Sequence, residues 1–295
     1  MLGWLDSNLI TMIDGVAIGV LLFAIALGLS LVFGVMDVLN LAHGALYLVG
    51  AYVAVALLGG GAAGTWMFVL AAVLAALIGG VAGAGMAVVT RPIAVRGHLD
   101  QALLTLGVAF VVADLLSEKY GNEVRSVPPP SSLAGSTSVF GNTYPVYRLA
   151  VIAIGLALAV GAYVVIERTK VGALVQASVA DSGMVRALGV NTGRLVTGVF
   201  AAGAALAAFG GALGAPILSA YPGLDTRILI LGLVVVVIGG LGSVSGALVA
   251  ALLIGQVETL GVSLLPTYAS FLTFGTMAVV LVLRPRGILA SGRTT

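Results

Sequence analysis

Residues 167–195 read ERTKVGALVQASVADSGMVRALGVNTGRL, a polar and basic island between two long apolar runs. A bilayer core cannot hold so many charged groups, so this stretch is a loop between membrane spans. Val171, Leu174, Val175 and Val179 recur at helical spacing, which predicts a short amphipathic helix. Asp181 or Ser182 can cap a second helix running through Met184, Val185 and Leu188. Gly189 ends it, because glycine best tolerates the left-handed conformation found at helix ends. Asn191 or Thr192 then caps the next apolar run. Two short helices at a membrane surface, carrying Arg168, Lys170, Arg186 and Arg194, form either a docking platform or a solvated connection. The residues alone leave both readings open.

The composition around the island is that of a membrane protein. Of 295 residues 60% are hydrophobic and 8% charged, with a mean hydropathy of +1.20; a soluble chain of this size needs far more charge to cover its surface. The 13 Lys and Arg against 11 Asp and Glu are a small excess scattered over loops, which argues against nucleic-acid binding. There is no Cys, and His43 and His98 are the only histidines, so neither disulfides nor a thiolate or His-rich metal site can form. The 42 Gly suit helices that approach closely, since lipid gives no hydrophobic drive between them.

A span takes about 20 apolar residues, and nine apolar runs read as spans, the seventh of them short: near 13–35, 41–58, 66–90, 101–116, 149–166, 195–217, 228–238, 246–260 and 271–283. The fold class is therefore an all-α polytopic bundle of about 8–10 transmembrane helices, some short or broken, forming a single domain over residues 1–295. The third run carries a small-residue face, Gly79, Gly80, Gly83 and Gly85. Residues 117–147 read as an irregular external loop, and GGLGSVSG at 239–246 as the site of a broken or re-entrant helix. Arg91, Arg96, Arg168, Lys170, Arg186, Arg194, Arg284, Arg286 and Arg293 fall on one side. Lys119, Arg125, Arg148 and Arg227 fall on the other. Nine against four puts the first group, with the C-terminus, in the cytoplasm; the N-terminus is then outside with nine spans and inside with eight or ten.

The candidates for polarity within the membrane are Asp37, Asn40, His43, Asp114 and Glu258. Asp37, Asn40 and His43 are spaced by three, on one face of a helical turn or in the break before one, where they either cap a helix end or line a pore. Asp114 reads as an interfacial carboxylate and Glu258 as a deeper one. His43-Gly44-Ala45-Leu46 faintly echoes Ser245-Gly246-Ala247-Leu248. No HExxH, GxSxG or paired carboxylate set points to an enzyme. Lys119 and Lys170 are the only lysines and neither lies in a P-loop, so any ATP dependence must come from a partner.

Several stretches resemble the permease subunits of high-affinity branched-chain amino-acid ABC importers. They are VLNLAHGALYLVGAYVA (38–54), LLTLGVAFVVADL (103–115), RTKVGALVQASVADSGMVRALGVN (168–191), VVVVIGGLGSVSGALVAALLIGQVE (234–258) and LVLRPRGIL (281–289). The 186–191 stretch and the short N-terminus resemble the shorter of the two paralogous permeases. The resemblance implies a bacterial inner-membrane subunit paired with a second permease, two cytoplasmic ATPase subunits that bind the ATP and Mg, and an external substrate-binding protein. No cofactor would sit in this chain. The docking loop 167–194 would engage the ATPase through Arg168, Lys170, Val171, Leu174, Asp181, Arg186, Leu188 and Gly189. Gln176 and Ser182-Gly183 depart from the charged residues common in relatives. A zwitterion crossing the bilayer needs polar backbone or water at its midplane, and the breaks predict a path past Asn40, His43, Gly44, Gly242, Ser243 and Ser245. Urea or short amides are the alternative cargo for this fold, and a proton-coupled carrier is the weaker alternative mechanism.

Overall fold

The computed structural model describes residues 2–36, 40–61, 64–93, 97–285 and 287–289, leaving aside the side chains of 2–7, 35, 36, 179, 180 and 182. Asp37, Arg96, Arg286, Arg293 and the side chains of Val179 and Ser182 thus lie outside the described residues. Nine apolar helices stand where the nine runs predict them: α1 (Leu2–Met36), α2 (His43–Leu58), α3 (Thr65–Thr90), α4 (His98–Tyr120), α5 (Val146–Arg168), α8 (Thr192–Leu218), α9 (Leu224–Gly239), α10 (Val244–Leu264) and α11 (Ala269–Leu283). Two short helices, α6 (Lys170–Ala180) and α7 (Ser182–Ala187), occupy the island. Seven of the nine are long and apolar enough to cross a membrane, and α2 and α9 are shorter, at 16 residues each. The protein is an all-α, multi-pass membrane protein.

The first helix is the spine. It starts at Leu2 rather than near 13, and 78% of its most apolar window is buried, against 11% for the last helix. Helices α2, α5, α8, α9 and α10 pack directly on it. Glycine sets the spacing: Gly19 of α1 would put a Cβ 2.9 Å from the Ala251 carbonyl of α10. On α3 only Gly79 and Gly83 of the four predicted small residues meet α8, while Gly80 only approaches it and Gly85 faces open space. The spacing of four explains the selection, since those two share a helix face and Gly85 does not.

The bundle has two distinct ends. At one, the expected irregular loop is irregular over 121–135 apart from a 3-10 turn at Ser131–Leu133, and then folds into an antiparallel hairpin, β1 (Ser136–Val139) with β2 (Asn142–Pro145), in which Val139 pairs with Asn142. Its two-residue turn holds Phe140 at φ +50° and Gly141 at +82°, the positive-φ pair of a tight hairpin turn, with glycine at the second position. At the other end lie α6, α7 and the α9–α10 connection. Helix α9 is continuous, and the Gly-rich stretch after it is a tight turn, with Gly240 at φ +93° and Gly242 at +75°. Two glycines in the left-handed region reverse the chain without breaking a helix. The last described residues return to the same end, where the Ile288 N–H donates to the Ile238 carbonyl at 2.8 Å.

Candidate functional site

The hairpin end carries a cavity of about 350 Å³ between α1, α2, α9, α10 and the end of α8. Its polar lining is Thr11, Asp14, Tyr47, Arg227, Glu258, Thr259 and Ser263. Each helix contributes one stripe. On α1 the positions 11, 14, 18 and 21, and on α9 the positions 224, 227, 228 and 231, follow the three-four spacing of a single face. Charges in this setting are held in pairs, as the cost of desolvation demands. Asp14 is ion-paired with Arg148, on the first turn of α5, and accepts a 2.6 Å hydrogen bond from the Tyr144 hydroxyl of β2. Arg227 donates to Glu258 at 2.7 Å, and the second Glu258 oxygen takes the Thr273 hydroxyl of α11 at 3.1 Å. Burial and the bond to Asp14 push the Tyr144 hydroxyl above the ordinary tyrosine range, so it stays a donor. The Tyr47 hydroxyl is buried and has no partner among the described residues.

One helical turn from Tyr47 toward the other end sits His43, fully buried with both ring nitrogens unpartnered among the described residues. Its ring lies against Gly28 of α1 and Gly203 of α8, where a Cβ on Gly28 would come 2.5 Å from Nε2. The break before α2 is satisfied locally. The Asn40 side-chain oxygen accepts from the Ala42 N–H at 3.1 Å and the Leu41 N–H donates to Thr105 at 3.1 Å, so Asn40 acts as a turn former. Its amide nitrogen has no partner among the described residues. Gly44 packs on the Asp225 carbonyl of α9, with no room for a Cβ.

The second predicted stretch is placed differently. The Ser243 hydroxyl caps α10 by accepting from the Gly246 N–H at 3.0 Å, Ser245 is exposed, and the Gly242 N–H donates to Ser30 of α1 at 2.9 Å. Gly28 and Ser30 are about 200° apart around α1. The two breaks therefore meet opposite faces of the spine. Neither lines the 350 Å³ cavity, although both echo segments rest on α9, Gly44 on Asp225 and Gly246 on Gly239. Asp114 is exposed on α4, and Glu258 is the acid of the Arg227 pair.

The island is an ordered platform. Thr169 caps α6, Asp181 caps α7 by accepting from the Met184 N–H at 2.9 Å, and Asn191 caps α8 by accepting from the Arg194 N–H at 3.0 Å. Gly189 takes φ +84° beyond α7. The inward face of α6 is Gly172, Val175 and Ser178 rather than the apolar set read from spacing, because Gly172 lets α6 fold back on the Ile166 carbonyl of α5. Gln176 donates to that same carbonyl at 3.3 Å. Val171, Leu174, Met184 and Leu188 are consequently left at 57%, 36%, 64% and 74% exposure. Arg168, Lys170 and Arg186 are exposed around them.

Residues 11–281 match the sequence profile of the family described as "Branched-chain amino acid transport system / permease component". The chain belongs to this permease family. Individual permeases are similar along nearly their whole length. The high-affinity branched-chain amino acid transport system permease protein BraD of Pseudomonas aeruginosa is 26% identical over 289 residues, covering 94% of each chain. The LivH permease protein of the corresponding system of Salmonella typhimurium is 28% identical over 295 residues, again 94% of each. A probable LivH permease of Methanocaldococcus jannaschii is 26% identical, covering 91% of this chain and 88% of its own. No solved structure matches. The permease fold thus frames two sites that sequence reading linked only in part. The Asp14, Arg148, Tyr144, Tyr47 and Arg227 frame went unread, though Asp14 inside the first run and Arg227 at the edge of the seventh were its visible signal.

Proposed function

We propose that this permease subunit forms the membrane path of an ATP-driven importer for leucine, isoleucine and valine, with ATP hydrolysed by separate subunits. The observation that carries it is the α6–α7 platform. Four large apolar side chains and three cations stand exposed on two capped helices and the residues flanking them, and an exposed apolar patch of this kind on an ordered element fits a protein partner. The partners are two cytoplasmic ATPases holding ATP and Mg, a second permease subunit and an external substrate-binding protein. The platform end and the C-terminus then face the cytoplasm of a bacterium and the hairpin end faces outward. The described cations agree in sign: Arg91, Arg168, Lys170, Arg186, Arg194 and Arg284 against Lys119, Arg125, Arg148 and Arg227. The names of the relatives supply the branched-chain cargo. Within this reading the path descends from the 350 Å³ cavity past Tyr47 to His43, Asn40 and Gly44, with Gly242, Ser243 and Ser245 on the far side of α1. ATP binding would move the platform and exchange the open end, each state holding the cargo differently.

Leucine uptake into proteoliposomes holding this chain, its second permease, ATPases and binding protein tests the reading. Uptake requires ATP, and Leu188→Asp, which alters only an exposed side chain, abolishes it together with ATPase retention on the column. ATP-independent uptake driven by a proton gradient would overturn the reading.

A further inference from the structure

The cavity at the hairpin end has a more specific chemistry than a water-filled entrance, and its assignment to a cargo rests on the transport function proposed for the chain. At about 350 Å³ it falls at the small end of the range for small-molecule sites, ~300–1,000 Å³. Its polar groups Thr11, Asp14, Arg227, Glu258, Thr259 and Ser263 share their level with Leu218, Leu224 and Val262, and Ile18, Leu21, Leu22, Ile228 and Leu231 add an apolar wall. The register of α1 against α10 brings the polar groups together, because the Gln256 amide donates to the Met12 carbonyl at 2.7 Å and so sets Glu258 level with Thr11 and Asp14.

Each charge also keeps capacity for a ligand. Arg227 uses Nη2 on Glu258, also bonds Tyr221 and is 52% exposed, and its fork of five donors keeps capacity beyond those two partners. The Asp14 oxygens bond Arg148 and Tyr144 from behind, and each retains a lone pair. The buried Tyr47 hydroxyl has no partner among the described residues. A cation donor, a separate carboxylate and an apolar wall match a molecule with a carboxylate, an ammonium and a branched hydrocarbon tail. Urea or a short amide has no use for either charge.

We propose that this cavity is a binding station for a zwitterionic α-amino acid with an apolar side chain. Arg227 and the Tyr47 hydroxyl receive the carboxylate, Asp14 receives the ammonium, and the tail lies along Leu21, Ile228 and Leu231. Glu258 holds the Arg227 fork in place and is a positioning residue.

The chain has no cysteine, so a single introduced thiol reports on the site without background. In the assembled complex in nanodiscs, without ATP, Thr259→Cys is labelled with a methanethiosulfonate reagent. Ser270→Cys, exposed on the first turn of α11 and outside the cavity lining, is the control. Leucine slows labelling at 259 at least several-fold and leaves 270 unchanged. Isovalerate, which lacks the ammonium, isoamylamine, which lacks the carboxylate, and urea do not protect. Asp14→Asn and Arg227→Gln each raise the half-protecting leucine concentration by ~10-fold or more, and Arg227→Lys does so less. Leucine uptake by a complex whose Thr259→Cys thiol stays unprotected overturns the station and leaves the transport reading standing. Protection by urea in place of leucine, in a complex that takes up urea, overturns both.

Discussion

Replacing Gly79 by Ala tests whether glycine contact or helix propensity governs this bundle. The ideal Cβ at position 79 of α3 would lie 2.6 Å from both the Ala204 carbonyl oxygen and the Ala208 Cβ of α8. Ordinary contact begins at 3.4 Å, so the helices must part by 0.8 Å along their crossing. Neither obstacle can rotate away, since one is main chain and the other a methyl on the backbone. A gap of ~0.5–1 Å forfeits about a quarter to a half of each dispersion contact it opens, and overpacking of this kind costs about 1–3 kcal/mol. Working against that, Ala favours a helix over Gly by ~1 kcal/mol. Gly85→Ala isolates that gain, because it lies in the same helix with nothing within 4 Å. The two variants should therefore differ by about 1–3 kcal/mol, Gly85→Ala melting at or above the parent and Gly79→Ala below it. Thermal unfolding of the purified chain in one detergent, with the folded fraction counted by size-exclusion chromatography, reads the order. If Gly79→Ala melts with Gly85→Ala, close glycine packing is not what holds α3 on α8.

Single contacts set two more outcomes. Asp181→Ala removes the acceptor for the Met184 N–H, which costs α7 about 1 kcal/mol; amide exchange across 182–187 should rise while the nine apolar helices stay protected. Tyr144→Phe deletes a hydrogen bond to a charged acceptor, worth ~1.5–3 kcal/mol. The folded tyrosine titrates above its unfolded value of 10.0 because it is buried and bonded to Asp14. Its contribution is therefore complete below that pH and declines as pH rises above it. The stability gap between parent and Tyr144→Phe should thus be wide at about pH 8 and narrower at about pH 11. An unchanged gap would remove Tyr144 from the Asp14 cluster.

What was legible in the sequence is what depends on neighbours in the chain. The nine apolar helices, the Asp181 and Asn191 caps and the Gly189 terminus follow from hydropathy, side-chain reach and φ, all local quantities. What was missed depends on contacts across the fold. Asp14 and Tyr144 are 130 residues apart in the chain, and no periodicity relates them. The orientation of α6 was not legible for a similar reason. Spacing selects Val171, Leu174 and Val175 together, whereas the Gly172 contact with α5 turns the helix so that only Val175 is covered. The start of α1 was set too late because Asp6, Ser7 and Asn8 dilute the apolar run at its beginning.

The spine gives the two sites a mechanical relation. An α-helix of 35 residues is ~52 Å long, enough to run from the cavity to the platform without a joint. Along that length α1 contributes Asp14, Ile18 and Leu21 to the cavity, receives the His43 ring at Gly28, holds the α9–α10 turn through Ser30, and meets α6. Close-packed helices move as bodies and do not deform continuously, so a displacement of α6 enters the bundle through α1 and α5, its neighbours. Helix α5 carries Arg148, the ion-pair partner of Asp14. Both routes from the platform thus end on the same carboxylate. A rigid-body shift between α1 and α5 would change the Asp14–Arg148 pair, and with it the charge that Asp14 can offer to an ammonium in the cavity.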